Sequence, residues 1–541
     1  RLYVDGRATG AGTGVSWEDA MADLQTALAG AAVHAAVQEV WIASGTYRPG
    51  IQDDGARASF RIRTALVVRG GFTGTESDPA QRPLTGAAVV LSGDNDQDDL
   101  AGVTTDNALH VVRMDACDAV TLLERVEITG GRAGSFMGSG PTGSGILIVG
   151  GSPWLRQVRL HDLVGEAVGV WNGASPTFDH CAIADNDTGV RAIPGTRTRF
   201  LSCSITGSRT SALYVAEAYF SDGVISGNAS GMLAEKATIE RTRFVGNRSL
   251  ALDLRGGSDA GSSRVSDCEF TDNQAPATAI QAGNLTLLVE RCRFLRNGVA
   301  GMFGSTSVCR MSNTALTLRD CEFSQEDGRI SGSAVEAYEG NIRIEGCRFV
   351  NLVCTVATIN IRSANVLLTD NVLVGCETRG SGGSILFLNN CTAHLVASRF
   401  IGNRTMGGTL DILGGSASLA GCVFAANTMR TSFAQSEPVD GSAINLDSAA
   451  VSVSNCTIDH SRPGSQQSAI RQYSGSLVLA NSILVSSTEP ALTQERFLVK
   501  LGGTVAVSRC LVQGWDGTLP GTDTIGGQPG FAAMGGPDGL A

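Results

Sequence analysis

Residues 289–297 read VERCRFLRN, a cysteine set between two arginines. Taken alone, Cys292 is open to four readings: a nucleophile, a metal ligand, half of a disulfide, or a small apolar residue in a core. Recurrence decides among them. The pattern is an apolar residue, two positions, a small residue, one position, then a second apolar residue, and it occurs 16 times. The first apolar residue runs from Leu123, Leu155 and Phe178 through Val265, Val289 and Leu318 to Leu479 and Val507, and the second follows five positions later. The small position is cysteine at nine of the 16 copies: Cys181, Cys203, Cys268, Cys292, Cys321, Cys347, Cys422, Cys456 and Cys510. Val126, Val158, Gly223, Thr242, Asn371, Ser398 and Ser482 fill the others.

Successive copies lie 19 to 34 residues apart. A period of that size with strand-like alternation is the mark of a solenoid. Between the copies there are short strands and Gly/Ser/Asn turns, and no amphipathic run long enough for a helical repeat. A second strand-like element precedes many copies: GSAVEAYEG (332–340), GSILFLNN (383–390), GGTLDILGG (407–415) and GSAINLDSA (441–449). Two or more strands per coil, stacked coil on coil, describe a parallel β-helix. The earlier segments EVWIASG (39–45) and ALVVRGG (65–71) extend it.

In such a fold equivalent positions form ladders. Cys292 and Phe294 are two apart and share one face of a strand. Val289, three before the cysteine, faces inward with them only if the chain bends between. Catalysis has no use for nine nucleophiles at one register, whereas a crowded ladder needs small apolar residues, and free Cys is one. Disulfides between adjacent rungs stay open on distance grounds, although single rungs of Val, Thr, Ser, Asn or Gly argue against obligatory pairing. Zinc is disfavoured, since there is no CxxC and no histidine at ligand spacing. Cys117, Cys309, Cys354, Cys376 and Cys391 are out of register, and a Cys354–Cys376 disulfide at a turn also stays open.

Outward positions alternate in sign from copy to copy: Arg243, Glu269, Arg293, Glu322, Arg348 after the small position, and Asp222, Arg241, Asp267, Arg291, Asp320 before it. Opposite charges side by side stabilise strand pairing, so the arginines flanking Cys292 are expected to be ladder partners. Asparagine recurs after the second apolar residue at 186, 228, 247, 273, 297, 403 and 427. It is expected to adopt the left-handed turn conformation and bond its stacked neighbours. The sequons starting at Asn228, Asn247 and Asn403 are by-products of that turn.

Composition narrows the function classes. The 541 residues carry 68 glycines, 17% charged residues and a net charge of −11, with Lys236 and Lys500 the only lysines. An acidic chain of this kind lacks the basic surface of a nucleic-acid binder, and suits divalent cations as partners. No apolar run of membrane-spanning length occurs. The start at Arg1 fits a trimmed or mature secreted chain.

FVGN, FTDN, FLRN, FIGN and FAAN, with GSAV, GSIL, GGTL and GSAI, resemble the FxxN and GGA[I/L/V] repeats of polymorphic outer-membrane proteins. More broadly, residues about 60–515 resemble bacterial secreted or surface proteins of the pectate-lyase-like superfamily. The resemblance implies an all-β, right-handed parallel β-helix of roughly 16–20 coils, and a role in cell-surface adhesion or structure.

The ends are read as caps, because a bare coil end exposes a strand edge. Residues 1–50 form an N-terminal cap with the first strands and a helix over about 17–29. Ser16 is its N-cap, Ala20, Met21, Leu24 and Leu28 its apolar face, and Gly30 its end. The β-helix occupies 51–515, and 516–541 is an irregular cap or linker, rich in Gly and Pro, of a chain expected to be longer.

An enzyme of this fold would need clustered carboxylates with a basic residue for a lyase, or two facing carboxylates for a hydrolase. The best acidic cluster is SGDNDQDD (92–99), whose Asp94, Asp96, Asp98 and Asp99 are candidate Ca²⁺ ligands, calcium being the one cofactor expected. The six histidines are scattered, and no compact catalytic constellation emerges. The favoured expectation is a non-catalytic, extracellular structural or adhesive protein, self-assembling end to end or binding a cell-surface or matrix polysaccharide. The alternative is a polysaccharide lyase or glycoside hydrolase acting on an acidic polysaccharide.

Overall fold

The computed structural model describes residues 1–50, 58–133, 142–256, 261–273, 279–298, 307–325, 330, 332–380, 382–429, 443–460, 468–487 and 492–527. Residues 528–541 of the expected C-terminal cap, residues 51–57 at its N-terminal counterpart's boundary, and the first two residues of GSAINLDSA lie outside that set. The chain divides into two compact units, Arg1–Arg255 and Gly256–Ala541. Each is a right-handed parallel β-helix: the repeat predicts the parallel β-helix, and the resemblance implies its hand.

In the first unit the strands stack in three lanes. One coil contributes Glu166–Trp171, Thr177–Asp179 and Ala182–Ala184, and the next Thr188–Ala192, Arg197–Leu201 and Ser204–Thr206. Between these two coils every lane is parallel and in register, so that Phe178 sits on Phe200 and Ile183 on Ile205. The second unit repeats this. Val335–Glu345, Ala357–Thr369, Ser384–Val396 and Leu410–Ala420 each run through the first two lanes without a break. A small fourth sheet joins Val353–Cys354, Glu377–Thr378, Arg404–Thr405 and Thr428–Met429. Among the described residues the third lane holds 18 strands, eight in the first unit and ten in the second. Glu39–Ala43 and Gly45–Tyr47 already stack on Val67–Phe72 and Val89–Ser92. Gly521–Thr522 stacks on Val507–Ser508. The ladders therefore extend beyond the expected 51–515 at both ends.

The bend that the repeat requires lies at the residue just before the small position. In all 16 copies, from Arg125 through Arg291 to Arg509, that residue has φ between 46° and 65°. One left-handed residue breaks the two-residue alternation of the strand, so residues three apart both face inward. Val289, Cys292 and Phe294 are accordingly all buried. Phe270, Phe294, Phe323 and Phe349 stack with ring centroids 5.0, 4.4 and 4.8 Å apart, and Phe178, Phe200 and Phe220 form a second stack in the first unit.

The asparagine ladder departs from expectation in one respect. The left-handed residue is the one before each asparagine, such as Gly227, Gly246, Asp272, Arg296 or Gly402. The asparagine itself points into the core. Asn228 Nδ2 donates to Asn247 Oδ1 at 3.0 Å and to the Ile205 carbonyl at 3.1 Å. Asn403 Oδ1 accepts from the Cys376 amide at 2.9 Å. These side chains satisfy backbone groups that the corner would otherwise leave unpaired.

The N-terminal helix runs over Leu24–Val33, seven residues later than expected at its start. Residues 17–21 are held out of it by hydrogen bonds to the first strand, Leu2–Val4: the Met21 amide donates to the Tyr3 carbonyl and the Asp5 amide to the Met21 carbonyl, both at 2.9 Å. Asp23, and not Ser16, is the N-cap, accepting from Gln25 and Thr26 amides at 3.2 and 3.0 Å. Gly30 lies inside the helix, which buries Leu24, Ala27, Leu28 and Ala31.

Candidate functional site

All 14 cysteines are buried free thiols. The thiols of Cys268 and Cys321, together with burial, push the Cys292 thiol far above its ordinary value. It stays protonated and is no nucleophile. Cys354 is registered against Thr378, not Cys376. Both are free, and burial pushes the Cys376 thiol up to about 12.

The arginines of VERCRFLRN are ladder partners. Arg291 donates to both carboxylate oxygens of Asp267 at 2.8 and 2.9 Å, and Arg293 lies 3.7 Å from Glu322. In the first unit Arg241 grips Asp222 the same way, at 2.6 and 2.8 Å. A second ladder, not singled out in the sequence, aligns Arg69, Glu124, Arg156 and Asp179 on neighbouring strands. Arg69 bonds Glu124, and Arg156 meets Asp179 at 2.9 Å. These charges therefore serve strand pairing.

Two places are left. The first is the acidic loop of the first unit, which follows strand Val89–Ser92. The structure brings together Asp94, Asp98 and Asp106, one carboxylate oxygen of each lying within 4.8 Å of the others. Asp106 was missed in the sequence because it approaches from the far side of the loop, where the Ala108 amide donates to the Gly93 carbonyl at 2.9 Å. Asp96, by contrast, is exposed and outside the group. Asp99 turns aside, accepting from Asn107 Nδ2 at 2.9 Å. Asp94 Oδ1 accepts from the Asp98 amide at 3.1 Å. Burial first, then the carboxylates of Asp106, Asp94 and Asp96, raise the Asp98 carboxyl above its ordinary value.

The second place is a groove of about 620 Å³ on the outer face of the second lane in the second unit. Its floor is built by strand register: Asn341 stacks on Asn365 and that on Thr392, while Thr317, Arg343, Leu367 and His394 form the adjoining row. Asn365 Nδ2 donates to Asn341 Oδ1 at 3.1 Å, and His394 Nδ1 lies 2.7 Å from Ser418 Oγ. Arg343 is exposed and, among the described residues, forms no ion pair. The lining contains no carboxylate. Nothing in it supplies the paired acids of a hydrolase. These side chains can donate and accept hydrogen bonds along an extended ligand and offer it one positive charge.

The model of the right-handed β-helix region family matches residues 310–489, about a third of the chain. No curated protein matches the sequence. Three solved structures share the fold at low identity. The catalytic domain of a GH87 α-1,3-glucanase in complex with nigerose is 9% identical, with a TM-score of 0.28 over 83% of this chain and 66% of that one. Tailspike protein 3 of bacteriophage CBA120 is 10% identical, with a TM-score of 0.23 over 90% of this chain and 60% of its own. The A-module of the mannuronan C-5 epimerase AlgE6 of Azotobacter vinelandii is 10% identical, with a TM-score of 0.24 over 83% and 99%. This chain thus spans just under two thirds of the glucanase domain and less of the tailspike. At these values the likeness is one of fold and carries no argument about chemistry.

Proposed function

We propose that this protein is a non-catalytic, extracellular β-helix with a structural or adhesive role, and that the groove over strands 341–345, 365–369 and 392–396 holds an extended polysaccharide. The observation that carries the reading is the composition of the groove: stacked amides and hydroxyls and, among the described residues, no ion-pair partner for Arg343 and no carboxylate in the lining. Strands about 4.8 Å apart repeat donors and acceptors at a spacing close to that of a sugar residue, so a linear glycan meets like groups along its length.

Affinity electrophoresis and calorimetry of the full chain against a panel of neutral and uronate-containing polysaccharides test this. Saturable binding weakened about tenfold by Arg343→Ala is expected, as for a charge-assisted hydrogen bond. Absence of binding across the panel would remove the adhesive reading. Release of reducing or unsaturated sugars would replace the non-catalytic one with a hydrolase or lyase.

A further inference from the structure

Arg264, Arg319 and Arg343 face outward from the second lane of the second unit, in and beside the polysaccharide groove, and two of them are engaged. Arg264 bonds Glu290 of the next coil. Arg319 holds Glu345 through two of its nitrogens, each at 3.2 Å. Glu345 shares the outward face of its strand with Arg343, yet its carboxylate is taken by Arg319 of the preceding coil. Arg343 is left exposed, with no hydrogen bond or ion pair among the described residues. Along the coils its row reads Thr317, Arg343, Leu367, His394. A half-buried leucine thus separates Arg343 from His394, which stands two strand spacings on, about 9.6 Å away. His394 Nδ1 lies 2.7 Å from Ser418 Oγ. With that hydroxyl donating, the ring keeps its proton on Nε2 as a donor for a ligand. The adjoining row, Asn341, Asn365 and Thr392, presents an uncharged hydrogen-bonding group at each coil. Donors suited to a carboxylate therefore stand on alternate coils, and neutral partners on every coil.

Resting on the polysaccharide reading of this groove, we infer that its ligand is a linear glycan whose acidic residues alternate with neutral ones. A chain lying along the stack sets about one sugar on each coil. Arg343 meets the carboxylate of one residue in a charge-assisted pair suited to its guanidinium fork. The next sugar lies over Leu367, where a carboxylate would lose water to an apolar side chain and gain no donor. A neutral residue is favoured there. The third sugar returns an acid to His394, while the amides and hydroxyls of the adjoining row bond sugars of both kinds. A uniformly acidic chain places a charge over Leu367, and a neutral chain leaves Arg343 without its anion. The groove discriminates against each for a different reason.

The test is calorimetry of the full chain against hexasaccharides of hyaluronan and of heparosan, in which a uronate alternates with a neutral N-acetylhexosamine. Hexagalacturonate, acidic throughout, and cellohexaose, neutral throughout, are the comparisons. At least one alternating ligand should bind about tenfold tighter than either comparison. Arg343→Ala should remove that advantage while changing affinity for cellohexaose by less than about twofold. Leu367→Arg, which sets a donor on the missing rung at an outward position, should raise affinity for hexagalacturonate at least about fivefold and reverse the order. Equal or tighter binding of hexagalacturonate or cellohexaose by the wild-type chain overturns the alternation and leaves the groove a polysaccharide site. So does an advantage that survives Arg343→Ala, or a Leu367→Arg chain that keeps the wild-type order. No binding of any of the four sugars overturns both readings.

Discussion

Arg291 holds Asp267 of the preceding coil through two parallel hydrogen bonds while its own backbone sits at φ 51°. The same residue thus makes the corner and links it to its neighbour. The exposed ion pair contributes little, whereas the left-handed conformation is unfavourable for any residue with a Cβ and most of all for a β-branched one. Arg291→Val, which puts a β-branched side chain at that φ, should therefore be clearly less stable than Arg291→Gly. Urea unfolding of the two variants checks the order, and equal stabilities would contradict it.

Phe294 lies between Phe270 and Phe323 in a continuous stack. Phe294→Ala should cost about 3–5 kcal/mol, through lost burial and the cavity left between two rings. Phe294→Leu, which keeps most of the volume and is the natural residue at position 373 of the same lane, should cost less than half of that. Thermal denaturation of both would show it.

Asn403 accepts from the Cys376 amide and donates to the Leu373 carbonyl and to Asn427. Asn403→Ala strands these groups in the core and should cost about 1–3 kcal/mol. Asn403→Asp should be at least as damaging at neutral pH, because its carboxylate faces a carbonyl that needs a donor. Equilibrium unfolding at pH 7 compares them.

Burial acts to raise the Glu290 carboxyl, but hydrogen bonding and charge from Arg264, with Arg291, outweigh it and hold the group below its ordinary value of 4.5. The folded state then binds this proton less tightly than the unfolded chain. Its contribution to stability is present above pH 4.5 and is lost as the pH falls through the lower, folded value. Glu290→Gln should flatten the acid side of the stability profile below pH 5 and lower stability near pH 7. Urea midpoints measured from pH 3 to 7 would reveal a profile unchanged by the substitution if the idea is wrong.

The thiol ladder predicts silence. Iodoacetamide at pH 8 should modify none of the 14 cysteines in the folded chain and all of them in denaturant, since each is buried. Rapid labelling of any ladder cysteine in the native protein, counted by intact mass, would show that the interior opens.

The repeat was legible because every coil restates it, so that Cys292 could be read from its 15 counterparts. The corner was harder to see. Its position is occupied by arginine, glutamine and histidine as well as by Gly346, Gly421, Asn455 and Asn481, and only the last four advertise a left-handed residue. Local sequence favoured a helix from Trp17, but the pairing of Met21 with the first strand prevailed. In the acidic loop, Asp94 and Asp98 were visible as a run. Asp106 was not, since only the folded return of the chain to Gly93 brings it across. The groove carries no motif at all: Arg343 and His394 are ordinary outward strand positions until register places them in adjoining coils.

The buried amides of Asn186, Asn228, Asn247 and Asn403 have a bearing on how the chain must be made. Each begins an Asn-X-Ser/Thr acceptor sequence, and in the finished solenoid none is exposed. The emerging polypeptide, however, would offer all four to an oligosaccharyltransferase before any coil had closed over them. A sugar attached at that moment could not enter the core, and coil growth would stall there. Production in a host that glycosylates its nascent secretory proteins should therefore give misassembled material, and replacing Thr188, Ser230, Ser249 and Thr405 to remove these acceptors should restore folding only in such a host.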